Sequence, residues 1–183
     1  MAQGFVVGPE TVRMLELGHP WILADRYTRQ WPSARPGDVA EVCDGNGRAV
    51  ASVLLDPKDR VVARVLKGRP KQLDRAWIRD RVTEAVALRN AHADLEGTSA
   101  YRLVNGEGDA LPGLTADRYG DHLMIQLYSS GWQRHLPLVV SVLKEILAPI
   151  GIYEKFRPQN TRNLAGEGDT KRYSRLLWGQ GVS

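Results

Sequence analysis

GDVAEVCDGNGRAVASVLLDP, residues 37–57, decides the first half of the fold. VAEVC (39–43) and AVASVLL (49–55) are rich in β-branched and small apolar residues. Between them Asp44-Gly45-Asn46-Gly47 supplies the positive φ angles that a tight hairpin requires. Downstream, RVVARVL (60–66) follows Asp56-Pro57 and reads as a further strand. Upstream, FVVG (5–8) leads into PETVRMLEL (9–17), a short helix with proline in its first turn, Val12, Leu15 and Leu17 near helical spacing, and Gly18 as its stop. Several short strands punctuated by turns predict a small β-barrel over residues 1–69, closed by Lys67-Gly68-Arg69-Pro70.

Beyond that point the apolar period changes from 2 to 3.6. Trp77, Ile78, Val82, Ala85, Val86 and Leu88 share one side of an amphipathic helix between Lys71 and about His92. YRLVN (101–105), LTADRY (114–119) and HLMIQLYS (122–129) read as strands, the last two joined at Gly120-Asp121. Leu136, Val139, Val140, Leu143, Ile146 and Leu147 mark a second helix, which Pro149 and Gly151 help to stop. IYEKF (152–156) and RYSRLLW (172–178) are the closing strands. Residues 70–183 are therefore expected to form an α+β sandwich, helices against a sheet. The string GEGD occurs at 106–109 and at 166–169, and two similar turns explain it.

Apolar residues make up 43% of the chain and charged residues 25%, a balance that excludes a disordered chain. No apolar run approaches the ~18–20 residues needed to span a bilayer. The start MAQGFVVGPE lacks the basic and apolar regions of a secretion signal, so a cytoplasmic location is expected. Cys43 is the one cysteine and His19, His92, His122 and His135 are scattered, so neither an internal disulfide nor a structural metal is expected.

No glycine-rich loop between a strand and a helix is recognisable, and such loops are where phosphates and cofactors meet backbone N–H groups. Cys43 sits beside Glu41 and Asp44, acids that raise rather than lower a thiol pKa. Glu107 with Asp109, Asp117 with Asp121, and His122 as a base read better as turn residues than as a hydrolytic centre. No catalytic residue is assigned, and no cofactor is expected to bind this chain.

The stronger signal is basic and aromatic residues interleaved. Residues 131–183 hold eight basic against four acidic residues, with Lys155, Arg157, Arg162, Lys171, Arg172 and Arg175 close together; Lys58, Arg60, Arg64, Lys67 and Arg69 form a smaller group. His19 and Trp21 follow the first helix, with Arg13 upstream. Trp132, Tyr153, Phe156, Tyr173 and Trp178 accompany the later cations. RNA modules combine phosphate-facing cations with planar side chains that stack on bases. On that pattern the expected RNA-contacting residues are Arg13, His19, Trp21, Lys58, Arg60, Lys67, Arg69, Lys155, Arg157, Arg162, Lys171 and Arg172. Each has a plainer alternative: charge runs are usually solvated faces, and Trp21 reads first as an apolar plug in the end of the barrel.

LELGHPWIL, GDVAEVCDGNGRAVASVLLDP and RVVARVL together resemble the PUA domain that opens the large-subunit rRNA cytosine-5 methyltransferase I family. YRLVNGEGDALPGLTADRYGDHLMIQ (101–126) is similar to that family's central sequence, in which a strand runs through NGEGD and LPGL into DRYGD and another strand. The resemblance implies a PUA domain followed by a central strand-strand-helix-strand-strand domain. It implies that the full-length protein methylates a cytosine of 23S rRNA with S-adenosylmethionine, using a cysteine thiolate. The family's cofactor loop, DPP-type motif and nucleophilic cysteine have no counterpart here, so this chain is expected to recognise RNA for a catalytic domain it does not contain. A stand-alone RNA-binding or ribosome-assembly module, and a protein-interaction module, remain alternatives; a homodimer is left open.

Overall fold

Gly8 and Pro9 begin helix α1 (Pro9–Glu16), with Glu10 in the first turn, where a carboxylate favours the free N–H groups. Gly18, at φ 88°, ends it: the Gly18 N–H reaches the Leu15 carbonyl and the His19 N–H the Met14 carbonyl. These bonds satisfy carbonyls at the helix end and turn the chain directly into a strand. The structure, a computed structural model, describes residues 4–92, 95–156 and 173–181.

The first sheet contains β1 (Phe5–Val6), β2 (Trp21–Leu23), β3 (Val39–Cys43), β4 (Ala49–Leu55) and β5 (Val61–Val65), in the order β1-β3-β4-β5-β2. The hairpin β3–β4 closes through Gly47 at φ 82°, as the Asp-Gly-Asn-Gly turn predicts. β1 runs parallel to β3, and the remaining pairs are antiparallel. The curled sheet has a core of its own, including Val7, Ile22, Val42, Val53, Leu55 and Ala63.

Helix α2 (Arg75–His92) begins four residues later than Lys71, because the Asp74 carboxylate accepts the Trp77 N–H at 2.8 Å and caps it. The second sheet follows as β6 (Ala100–Asn105), β7 (Leu114–Tyr119), β8 (His122–Leu127), β9 (Gly151–Lys155) and β10 (Ser174–Gly179), in the order β10-β9-β8-β7-β6. Helix α3 (Leu136–Leu147) carries the chain from β8 to β9, which pair in parallel, as a helical crossover allows. α2 packs on α3 and on β6. Three strands precede α3, one more than the strand-strand-helix-strand-strand resemblance implies. The whole is α+β: a curled PUA-like sheet followed by a sheet with helices packed on it.

Trp132 is fully buried in the larger core and donates its indole N–H to the Pro112 carbonyl at 2.7 Å. It is a core residue, not one of the aromatics available to a partner. The larger core also takes in Leu54 and Leu66 from the first sheet's end of the chain. Arg64, 5% exposed, bridges the two sheets, donating to the Val61 carbonyl at 3.3 Å and to the Tyr128 carbonyl at 3.2 Å while pairing with Asp59 at 3.3 Å.

Candidate nucleic-acid interface

The site lies along this seam. β2 is an edge strand paired with β5, and in its three residues Ile22 points into the core while Trp21 and Leu23 face outward. Trp21 is therefore 41% exposed, which corrects the reading of it as a barrel plug. Strand alternation permits only one of two neighbours to face the core, and Ile22 holds that place. The His19 ring meets the indole edge to face at 6.0 Å between centroids, and its Nδ1 lies 3.1 Å from the Trp21 carbonyl.

Opposite Trp21 stands the one-turn 3₁₀ segment Gly106–Asp109, the first GEGD. Asp109 anchors it: Arg89 of α2 donates both guanidinium arms to the carboxylate at 2.8 and 2.6 Å, and the Asn105 N–H reaches it at 2.6 Å. Gly106, buried at φ 53°, and Ala110, at φ 57°, bend the backbone on either side. The turn thereby presents Glu107 to the first sheet, where Glu107 Oε1 accepts the Trp21 indole N–H at 2.6 Å across 86 residues of sequence. Asp117 pairs with Arg102 at 2.7 Å. Asp109 and Asp117 are thus each held by an arginine, and Glu107 by the Trp21 indole.

Two cavities adjoin Glu107. One, of about 550 Å³, has Leu15, Val65, Ala85 and Leu88 in its walls with His19 and Lys67 beside them. The other, of about 460 Å³, is lined by Trp21, Arg60, Arg64, Arg102 and Asn105 among others. Glu107 lines both. The second is the more cationic, and Arg60 is its exposed cation with no ion pair among the described residues.

Of the expected contact residues, the structure brings His19, Trp21, Arg60 and Lys67 to this seam. Lys67 is partly engaged, its ammonium 3.4 Å from Glu84. Lys58 is exposed in the turn before Arg60, and Arg13 is exposed on α1. Arg69 is exposed but spends one guanidinium arm on the Val50 carbonyl at 3.0 Å. Lys155 ends β9 and lines neither cavity. Arg157, Arg162, Lys171 and Arg172, together with the second GEGD, lie outside the described residues. Glu107, Arg102 and Arg64 were not among the expected contacts. Only Arg64 carried a visible signal, as the one charge inside an apolar strand.

Cys43 is half-buried, and its thiol is pushed above the usual 9.0, chiefly by burial and then by Glu41 and Asp44. Among the described residues no three His, Cys, Asp or Glu side chains are grouped to hold a metal ion, and no helix is long and apolar enough to cross a membrane.

A PUA-like domain profile matches residues 5–67, which span the first sheet. The ribosomal RNA large subunit methyltransferase I of Cronobacter sakazakii is 34% identical over 138 residues, covering 75% of this chain and 35% of that protein. Over these residues the chain is similar to the ribosomal RNA large subunit methyltransferase I proteins, and its first sheet to the PUA-like domain. The ribosomal RNA large subunit methyltransferase of Deinococcus radiodurans is 39% identical over 127 residues, 65% of this chain and 30% of its own length. The chain thus spans about a third of the length of the curated relatives it matches. Its fold recurs in two solved structures, each at 21% identity. A Streptococcus mutans chain assigned as a SAM-dependent methyltransferase superposes at TM-score 0.77 over 98% of this chain and 44% of its own. SMU.776, assigned as a methyltransferase and complexed with SAH, superposes at 0.78 over 97% and 43%.

In Rossmann-like domains a nucleoside cofactor sits at a glycine-rich strand-to-helix loop, where the backbone approaches the ligand. The connections β1 to α1, β5 to α2 and β8 to α3 each hold a single glycine: Gly8, Gly68 and Gly131. Gly45 and Gly47 sit in a hairpin, and Gly106 and Gly108 in a turn between two strands. The described residues do not fit such a cofactor.

Proposed function

We propose that this chain is the RNA-recognition part of a large-subunit ribosomal RNA methyltransferase, holding 23S rRNA for cytosine C5 methylation by a S-adenosylmethionine-dependent domain outside these 183 residues. The observation that carries this reading is the exposed indole of Trp21 at a seam cavity that also presents the unpaired cation Arg60. An exposed aromatic face beside a free guanidinium is what a single-stranded or splayed RNA segment engages, by stacking and by phosphate contact. The division into residues 1–69 and 70–183 suits this function, since two surfaces meeting at a groove hold a strand more firmly than either face alone. A cytoplasmic protein acting on ribosomal RNA follows from the same reading.

The test is RNA affinity as a function of salt. Changing Arg60 to Gln should weaken binding to every RNA sequence and lower the log–log salt slope by about one unit. Trp21→Ala should weaken binding with the slope unchanged. Parent-like affinity in both variants would remove the seam from the RNA surface.

A further inference from the structure

Glu107 is an anomaly for a nucleic-acid groove. Of the acids that line the two cavities, Asp59, Glu84 and Asp109 form ion pairs with Lys or Arg, whereas among the described residues Glu107 forms none. An unneutralised carboxylate near a phosphate-binding cation weakens attraction to any polyanion. It is useful there only if it accepts hydrogen bonds from something the strand carries.

Its presentation is rigid. The turn that bears it is riveted to α2 through Asp109 and Arg89, and the Trp21 indole N–H holds Oε1 at 2.6 Å. A carboxylate offers about four acceptor positions, and the indole uses one of them. The two cavities, of about 550 and 460 Å³, both count Glu107 in their walls. Cavities of this order accept nucleotide-sized ligands. The charge is uneven: Arg60, Arg64 and Arg102 outnumber Asp59 and Glu107 in one cavity, whereas Glu84, Asp109 and Glu107 outnumber Lys67 in the other. A strand laid across the seam would put phosphate toward Arg60 and a base edge toward Glu107.

We propose that Glu107 is a base-reading residue that selects guanine in a single-stranded RNA segment crossing the seam, with Trp21 as its positioning residue and as a stacking face for the neighbouring base. The proposal rests on the RNA-recognition reading above. Guanine alone among the four bases presents two adjacent donors, N1–H and the N2 amino group, on its Watson–Crick edge, and these match the two oxygens of a carboxylate. Cytosine and adenine set an acceptor beside their amino group, which a carboxylate repels. Uracil flanks its one N–H with two carbonyls.

The experiment measures binding of the whole chain to labelled adenine-rich RNA oligonucleotides with a single central G, C, U or A. The parent should favour G by about tenfold, the discrimination expected of one bidentate base contact. Glu107→Gln should abolish that preference while leaving affinity for the other three unchanged or higher, because a negative charge is gone. Trp21→Phe keeps an aromatic face but removes the N–H, so the G preference should fall while affinity for the non-G oligonucleotides persists; a merely structural tryptophan would lower all four together. Equal binding of the four by the parent, or full G preference in Glu107→Gln, overturns this proposal alone. Absence of binding to any RNA overturns the RNA-recognition reading and this proposal with it. Competition by GMP separates a guanine in a strand from a free nucleotide: GMP displacing the oligonucleotide at concentrations near the oligonucleotide's own Kd overturns the strand-bound proposal.

Discussion

Asp56 and Ser129 lie 73 residues apart in sequence, and the Ser129 hydroxyl donates to the Asp56 carboxylate at 2.7 Å. Ser130 adds its N–H at 2.8 Å and its hydroxyl at 2.7 Å. Asp56, 2% exposed at the end of β4, thus joins the first sheet to the segment that follows β8. A buried carboxylate is tolerated because its lone pairs are taken up by donors. Replacing it with Ala strands the buried Ser129 hydroxyl, at a cost of about 2–3 kcal/mol. Urea unfolding should show this as a lower midpoint with the slope m preserved.

Gly113 stands at φ 76°, and a Cβ there would come 2.9 Å from Arg64 Nε, at the point where Arg64 bridges the sheets. Gly113→Ala therefore meets both backbone strain and a clash with a nearly immobile guanidinium, and should cost about 1–3 kcal/mol. Gly47→Ala is the control, since its φ is 82° but nothing lies within 4 Å of the added carbon. Thermal unfolding should rank Gly113→Ala below Gly47→Ala, and equal losses would mean that Arg64 yields freely.

Asp38 reports the seam's response to acid. The Arg35 N–H, first, and then the Arg134 side chain hold its carboxyl below the ordinary 3.8. A carboxyl depressed on folding contributes stability that is complete above its unfolded value and is lost as pH falls through the lower folded value. As pH falls below about 4 the parent should therefore lose more stability than Asp38→Asn, with the two curves parallel above that point. The check is a denaturant series at stepped pH.

Cys43 should be a sluggish nucleophile. Its thiol is raised above 9.0 by burial and then by the charges of Glu41 and Asp44, so little thiolate exists near neutrality. Iodoacetamide should label the native chain much more slowly at pH 7 than the urea-unfolded chain, with the native rate still climbing at a pH where the unfolded chain's rate has levelled off. Glu41→Gln should speed native labelling modestly, since Glu41 is exposed and is the lesser cause. Mass spectrometry of timed aliquots provides the measurement.

Much of the architecture could be read locally. The β3–β4 hairpin, both long helices and the β7–β8 turn follow from alternation, from 3.6-residue spacing and from glycine placement, all properties of neighbouring residues. The site resisted the same reading for physical reasons. β2 is three residues long, too short for alternation to show that Ile22 and not Trp21 faces the core. The pairing of Trp21 with Glu107 spans 86 residues, and no local pattern encodes it. Asp109 and Glu107 looked equivalent in GEGD, yet α2 supplies a guanidinium to one and leaves the other to the seam.

Leu54 and Leu66 are contributed by the early part of the chain but are buried among residues that include Ile78, Leu103, Trp132 and Leu143. During synthesis these leucines emerge well before most of those neighbours exist, and at about 5–20 residues per second the interval lasts several seconds. For that time the nascent β4–β5 hairpin carries two uncovered apolar side chains. Slowing translation after residue 67 would lengthen the exposure, so this chain should be more aggregation-prone when elongation is slow than when it is fast.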